Sequence, residues 1–444
     1  MLLCTLLLGG CAVVDPHNLI GRHRTPPVVA ETPVPVKDES YRQAALDFVW
    51  NTINTRYYDP TLNGVDWRAV RVKHEPCILA ASNDDEFWDR LDKMTGELKD
   101  SHTRIHSPKQ AAQQRNSESH SLGLNFIEMD DALMLTSVHP QSDAYWAGAR
   151  AGMRIKTIDN QPALLHYRRL VDESRETSTP WARRRGAIRA INSGDIDTVV
   201  TMVFLRADGS EFQVRMKRRR FASPPEYMAR VLPSGFAYLR FSAFDTRIQA
   251  AVLAEVEKMR EAPGMIVDLR GNGGGSGEMS AKLAGRFFRD KQTGIRLLTR
   301  TGKPVSLFFM DVMKLEPELK GAGDKAYTKP VAIIVNESSA SASEAFTVAM
   351  KELQRATVVG QRTCGCLLGY LGYADVPGGG WLAYSEIGFV TKNGTRVEGS
   401  GVLPDVEVKL TREDYLFNRD RMLEAAETVL REKTAASKDT ALSQ

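Results

Sequence analysis

At 444 residues the chain is too long for one compact core and predicts two or three domains. Its 42% hydrophobic and 26% charged residues are the make-up of a globular protein. A net charge of +4 is too dilute over this length to argue for a nucleic-acid partner, and the basic runs Arg183–Arg184–Arg185 and Lys217 to Arg220 read as solvated faces.

The N-terminal stretch MLLCTLLLGGCAVVD is apolar but too short to span a bilayer. It reads as a secretory h-region, without the usual basic n-region. Leu8-Gly9-Gly10-Cys11 resembles a bacterial lipobox, which makes Cys11 the candidate lipidation site. Residues 12 to 40 are rich in Pro, Val and Thr and read as an extended tether, so 1–40 is expected to be signal and tether. A periplasm-facing protein, lipid-anchored to a bacterial membrane, follows as an expectation. With Cys4 lost and Cys11 acylated, Cys77, Cys364 and Cys366 remain, so at least one thiol is free or paired between chains.

Residues 41 to 98 repeat apolar residues at three and four and open an N-terminal helical segment, 41–110. Residues 118–220 read as strands, with a short helix at SDAYWAG and a hairpin turning at Asp208-Gly209. This stretch resembles a PDZ domain. The resemblance makes Leu122, Gly123 and Leu124 the loop whose N–H groups capture a peptide's terminal carboxylate while the peptide adds as a strand. Residues 225–434 alternate buried-strand runs (GMIVDLRG, VAIIVNE) with helical patterns, implying an α/β core. The stretch from 300 to 328 reads as an irregular loop, and the residues from 435 on as a frayed polar tail.

Ser341-Ala342-Ser343-Glu344 follows the second buried run and fits a capping box. Alone, that spacing says only that Ser341 caps a helix. A serine there also sits at the positive end of the helix dipole, beside N–H groups with no helical partner. The glycine-rich DLRGNGGG, residues 268–275, follows the first buried run. It lacks the Gly-Lys-Ser/Thr ending of a phosphate-binding loop and the spacing of a dinucleotide fingerprint.

DLRGNGGG, SASASE, VVGQRTCG and GSGVLPDVEV, in this order behind a PDZ-like stretch, resemble the C-terminal-processing (tail-specific) serine peptidases. The resemblance implies a crotonase/Clp-like mixed-sheet α/β protease core with an inserted PDZ domain and the N-terminal helical segment. It makes Ser341 the nucleophile and assigns the oxyanion hole to Gly274 or its neighbour together with Ala342. The better-known branch keeps a lysine base 25 places after the serine, and that residue here is Cys366. Lys351 cannot replace it, lying too far along the same helix, and Glu352 reads as a surface charge.

Among the eight histidines, the stretch Lys99-Asp100-Ser101-His102-Thr103 resembles the Asp-x-His-Thr of the tricorn-like branch, which uses histidine as base. That resemblance implies His102 as general base, oriented by Glu398 (in VEGSGV) through Ser101. His106 is the backup base. Cys364 and Cys366 are left open between a disulfide, a soft-metal pair and inert or redox-labile thiols; two ligands are too few for zinc. The expectation is an endopeptidase without metal or organic cofactor, acting on proteins or peptides with free C-termini. The alternative is a catalytically inactive PDZ-bearing scaffold.

Overall fold

The computed structural model describes residues 40–115, 120–221, 225–302 and 318–442; Cys4, Cys11 and the tether lie outside them. The centre is a six-stranded sheet in the order Tyr227–Val231, Ala237–Phe241, Met265–Asp268, Val331–Val335, Thr357–Gly360, Val406–Glu407. The first pair is antiparallel and the rest are parallel. Met265–Asp268 and Val331–Val335 are buried on both faces, which is why they read as unbroken apolar runs.

Alternation sorts their side chains. Met265, Val267, Ile333 and Val335 pack with helices Thr246–Lys258, Gly277–Gly285 and Ala342–Glu352, whereas Ile266, Ala332 and Ile334 face Met422, Ala426 and Leu430 of helix Arg421–Leu442. That last helix runs to Leu442, where the sequence reads as a frayed tail. Met265–Asp268 and Val331–Val335 are parallel neighbours with Asp268 opposite Ile334. The glycine-rich loop and the Ser341 segment, each leaving the carboxyl end of its strand, therefore emerge side by side, where open α/β sheets build their sites.

A second sheet forms around the long strand Gly380–Thr391, which pairs with Gly369–Val376, Ile295–Leu298 and Arg104–His106. Helices Tyr41–Arg56, Trp67–Leu79 and Asp84–Gly96 bury Leu46, Val49, Ile53, Phe87 and Leu91 in one cluster with Leu368, Val376, Leu382 and Tyr384. The N-terminal segment thus packs into this second sheet and carries one of its strands, rather than standing as a lead-in of its own.

Residues 120–221 form the inserted β-domain. Leu124–Met129, Ala132–Val138, Arg154–Ile158, Val199–Leu205 and Glu211–Lys217 make its main sheet, and the last two are joined through Asp208-Gly209. Two helices, Ala163–Glu173 and Pro180–Asn192, cover it. The second starts at Thr179, whose Oγ1 accepts the Ala182 N–H, with Pro180 in its first turn. Arg183 is not part of a solvated face. It donates to the carbonyls of Val171 and Asp172 and to Glu176, each at 2.8 Å, and so ties the helix to the linker before it.

Candidate active site

Of the serines in SSASASEAF, two are structural. Ser339 Oγ donates to the Leu269 carbonyl, and Ser343 Oγ to the Asn272 carbonyl, and both side chains are buried. They bind the nucleophile segment to the glycine-rich loop. Ser341 is half-buried and has φ 55° and ψ −118°. A positive φ in a non-glycine residue costs on the order of 1–3 kcal/mol and persists only where the surroundings impose it. Here the Ser341 N–H donates to the Cys366 carbonyl and to Glu344 Oε2, both at 3.1 Å. The capping box with Glu344 is present as the spacing predicts, so the cap and the strained serine coexist.

Glu344 does more than cap. Its buried carboxylate also accepts from Thr363 Oγ1 at 2.6 Å, the Gly365 N–H at 2.7 Å and the Cys366 N–H at 2.9 Å. It therefore fixes residues 363–366 against the serine. Nothing in the capping spacing reveals this second set of partners.

The oxyanion side is built by close approach. Gly274 has φ +100°, and a Cβ there would lie 2.6 Å from the Ala340 carbonyl oxygen, 2.7 Å from Ser341 Cβ and 2.8 Å from the Ala342 nitrogen. Only glycine fits. The Gly274 N–H itself donates to Asn272 Oδ1 at 3.0 Å. The Gly274 N–H is thus engaged within its own loop, while the Gly274 backbone lies against Ser341 and the Ala342 nitrogen.

The His102 loop approaches from the N-terminal segment. Asp100 is fully buried and accepts from the His102 N–H at 2.7 Å, from Thr103 Oγ1 at 2.5 Å and from Ser385 Oγ at 2.8 Å, fixing the turn. His102 Nδ1 is buried without a hydrogen bond, 4.0 Å from Asp100 Oδ1. Burial pushes the imidazole pKa down and Arg104 adds to this, while Asp100 opposes it. Ser101 Oγ is 3.9 Å from Cys366 Sγ. The His102 loop and Ser341 thus both pack on residue 366, although no hydrogen bond joins the two side chains among the described residues.

Glu398 is buried and does not bond Ser101 directly. Its Oε1 is hydrogen-bonded to Ser178 Oγ, and Ser178 Oγ is 2.8 Å from Ser101 Oγ. Burial first, and Asp100 second, hold the Glu398 carboxyl well above the usual range, against the Ser178 hydrogen bond that lowers it. Ser178, between the two helices of the inserted domain, carries no sequence signal beyond standing just ahead of the Thr179 cap.

Cys364 and Cys366 are joined as a disulfide, with Trp181 and Ala182 packed on them, and Cys77 is a free, exposed thiol. Lys351 pairs with Asp405 at 2.8 Å and donates to the Leu403 carbonyl. His106 stacks on Trp381. Leu122 and Leu124 are buried, and the expected carboxylate loop is occupied from within the chain. The Leu122 N–H donates to the Asn192 carbonyl at 3.1 Å and the Gly123 N–H to Ser121 Oγ at 3.0 Å. Asn192 Nδ2 adds a bond to the Leu124 carbonyl at 2.9 Å.

Residues 235–408 match peptidase family S41, and residues 38–96 match the tricorn protease C1 domain. The chloroplastic C-terminal processing peptidase of Tetradesmus obliquus is 26% identical over 387 residues, spanning 81% of this chain and 75% of that protein. The carboxyl-terminal-processing protease of Picosynechococcus sp. is 24% identical over 365 residues, 80% of each chain. Among solved structures, the photosystem II D1 C-terminal processing protease aligns with a TM-score of 0.56 at 21% identity, over 88% of this chain and 97% of its own. Mature CPAF aligns with a TM-score of 0.65 at 15% identity, over 88% and 97%. These two share the fold. Over residues 235–408 the chain matches peptidase family S41, and its similarity to C-terminal-processing peptidases supports a serine-type peptidase.

Proposed function

We propose that the chain is an active endopeptidase in which Ser341 is the nucleophile and His102 the general base. The observation that carries this reading is the strained, half-buried Ser341 on the N-terminus of its helix, with Gly274 pressed against it and the Ala342 N–H alongside. Ser341 Oγ attacks the scissile carbonyl carbon as its proton passes to His102 Nε2, and the carbonyl π pair moves onto the oxygen, held by the Ala342 and Gly275 N–H groups. Collapse expels the amine, which takes the proton from His102, and leaves an ester on Ser341. Water, deprotonated by His102, hydrolyses the ester to a carboxylate and restores the serine. A small closure brings the ring onto the hydroxyl, as catalytic hydrogen bonds commonly tighten only once substrate is bound.

The substrates are proteins with accessible tails. Capture of a terminal carboxylate at Leu122–Gly123–Leu124, in the manner of a PDZ domain, requires the tail to replace the Asn192 carbonyl and Ser121 Oγ on two N–H groups. Leu8 to Cys11 supports an envelope location with Cys11 acylated; radiolabelled palmitate entering the protein but not Cys11→Ser is the expected result. The competing reading, an inactive tail-binding scaffold, draws on Cys366 standing where a lysine base is kept. Hydrolysis of a disordered protein decides between them. Ser341→Ala and His102→Ala must each lose it, and a Ser341→Ala protein as fast as wild type ends the proposal.

A further inference from the structure

We propose that Ser178, supplied by the inserted β-domain, is a positioning residue of the catalytic apparatus: it transmits the charge of Glu398 to Ser101 and so selects which nitrogen of His102 carries the proton. The inference rests on the Ser341–His102 reading above.

The linker from 174 to 179 is fastened to the His102 loop. Arg175 Nη2 donates to the carbonyls of Thr103 at 2.8 Å and Asp100 at 3.3 Å, and its guanidinium faces Asp92 at 3.6 Å. Ser178 and Ser101 then clasp each other. The Ser101 N–H donates to Ser178 Oγ at 2.8 Å, and the Ser178 N–H to Ser101 Oγ at 3.1 Å, with the hydroxyls 2.8 Å apart. Beyond the clasp lies Glu398 Oε1.

Each hydroxyl has one proton and two lone pairs, so the bonds can be counted. With Glu398 ionised, Ser178 donates to the carboxylate. Its lone pairs take the Ser101 N–H and the Ser101 hydroxyl proton. Ser101 Oγ then has one lone pair filled by the Ser178 N–H and one left over, which can only accept. A His102 held there is protonated on Nδ1, leaving the Nε2 lone pair for the Ser341 proton. With Glu398 protonated, every arrow reverses. Glu398 donates to Ser178, Ser178 donates to Ser101, and Ser101 can only donate onward, which favours the Nε2–H tautomer that cannot act as base. No proton crosses the chain in catalysis; only its direction matters.

The groups that bear on these titrations are few. Glu398 faces Asp100, Glu344, Arg396, Tyr57 and Tyr58, and His102 faces Asp100 and Arg104. The relay acts once the His102 ring turns onto Ser101 Oγ, since Nδ1 has no hydrogen-bond partner as it stands; the competing acceptor is Asp100 Oδ1, 4.0 Å away and beyond hydrogen-bond length. If it alone held the tautomer, removing the Ser178 hydroxyl would change nothing at the ring.

The test uses the full chain and two readouts: steady-state hydrolysis of a disordered protein, and ring-nitrogen NMR of 15N-histidine-labelled protein, with the His102 signals assigned from His102→Gln. Ser178→Ala is expected to lower kcat on the order of 10–100-fold with KM unchanged, as loss of a supporting partner commonly does. It should also abolish the Nδ1–H preference that wild type is expected to show above the raised Glu398 pKa, and Ser178→Thr should restore both. If Ser178→Ala does not fold, Glu398→Gln, which keeps the shape and removes the charge, must show the same loss of tautomer preference. An unchanged tautomer in Ser178→Ala or in Glu398→Gln, with or without a fall in kcat, overturns the proposal. A wild type that hydrolyses nothing but shows the tautomer shift sinks the proposed function instead and leaves the relay standing.

Discussion

Cys366 holds the two halves of the site together: its Sγ lies 3.9 Å from the Ser101 hydroxyl, while its carbonyl accepts the Ser341 N–H at 3.1 Å. The position where the resemblance expects a lysine therefore sits between the serine and the loop that carries His102. Here that position carries a disulfide to Cys364, and in the proposed mechanism the base is the imidazole of the N-terminal segment.

Closing the oxyanion pocket is the sharpest steric test. Gly274→Ala puts a methyl 2.8 Å from the Ala342 nitrogen and 2.7 Å from Ser341 Cβ, at a φ of +100°. We expect kcat to fall roughly 100- to 1,000-fold, the range seen for loss of an oxyanion donor. Active-site titration beside a melting curve separates this from unfolding. Wild-type kcat in Gly274→Ala would show that this loop is not at the reaction centre.

Glu344 predicts a stability effect. Glu344→Ala leaves the Thr363 hydroxyl and the N–H groups of Gly365 and Cys366 without their acceptor in a buried site. We expect a loss of roughly 3 kcal/mol, from buried donors that go unsatisfied at about 1–3 kcal/mol each with partial relaxation. Glu344→Gln, which keeps one acceptor oxygen, should lose less. Urea unfolding checks both, and a loss in Glu344→Ala below about 0.5 kcal/mol, the level of an ordinary surface change, contradicts the account.

Acid sensitivity follows from His106. Its ring stacks on Trp381 with centroids 4.0 Å apart. Burial, helped by Arg104, pushes its pKa down to about 3 from an ordinary 6.5. The unfolded chain therefore takes up a proton that the folded one refuses. The contribution is whole above pH 6.5 and is lost as pH falls from 6.5 towards 3, with a slope of up to about 1.4 kcal/mol per pH unit. His106→Phe keeps the stacking and removes the titration. Between pH 7.5 and 5 the wild type should lose about 1–2 kcal/mol more than His106→Phe in urea unfolding. Parallel losses would contradict the buried, neutral ring.

Much of the site can be read from the sequence because its parts sit at positions the backbone dictates. GMIVD and VAIIV are recognisable as doubly buried strands, the resemblance pairs the loops that follow them, and the parallel pairing of the two strands brings the glycine loop and Ser341 to one edge. Arg104–His106 was not legible as a strand. It is three residues long, too short for alternation to show, and only its pairing with Trp381 to Ala383 reveals that the N-terminal segment belongs to the second sheet. Ser178 is invisible for a different reason. Its partners stand 77 and 220 residues away, and no local spacing encodes such a bond. The closed state of the Leu122–Leu124 loop was hidden likewise, because its occupant, Asn192, ends a helix whose apolar pattern is weak.

The central claim is that Ser341 is a nucleophile activated by His102. The most direct measurement is covalent labelling by a fluorophosphonate probe, read by mass spectrometry of the tryptic peptide that carries residue 341. The account predicts rapid modification of Ser341 in wild type, none in Ser341→Ala, and labelling at least about 100-fold slower in His102→Ala, the scale of a general base's contribution. Absence of label from folded wild type, or equal rates in wild type and His102→Ala, would contradict it.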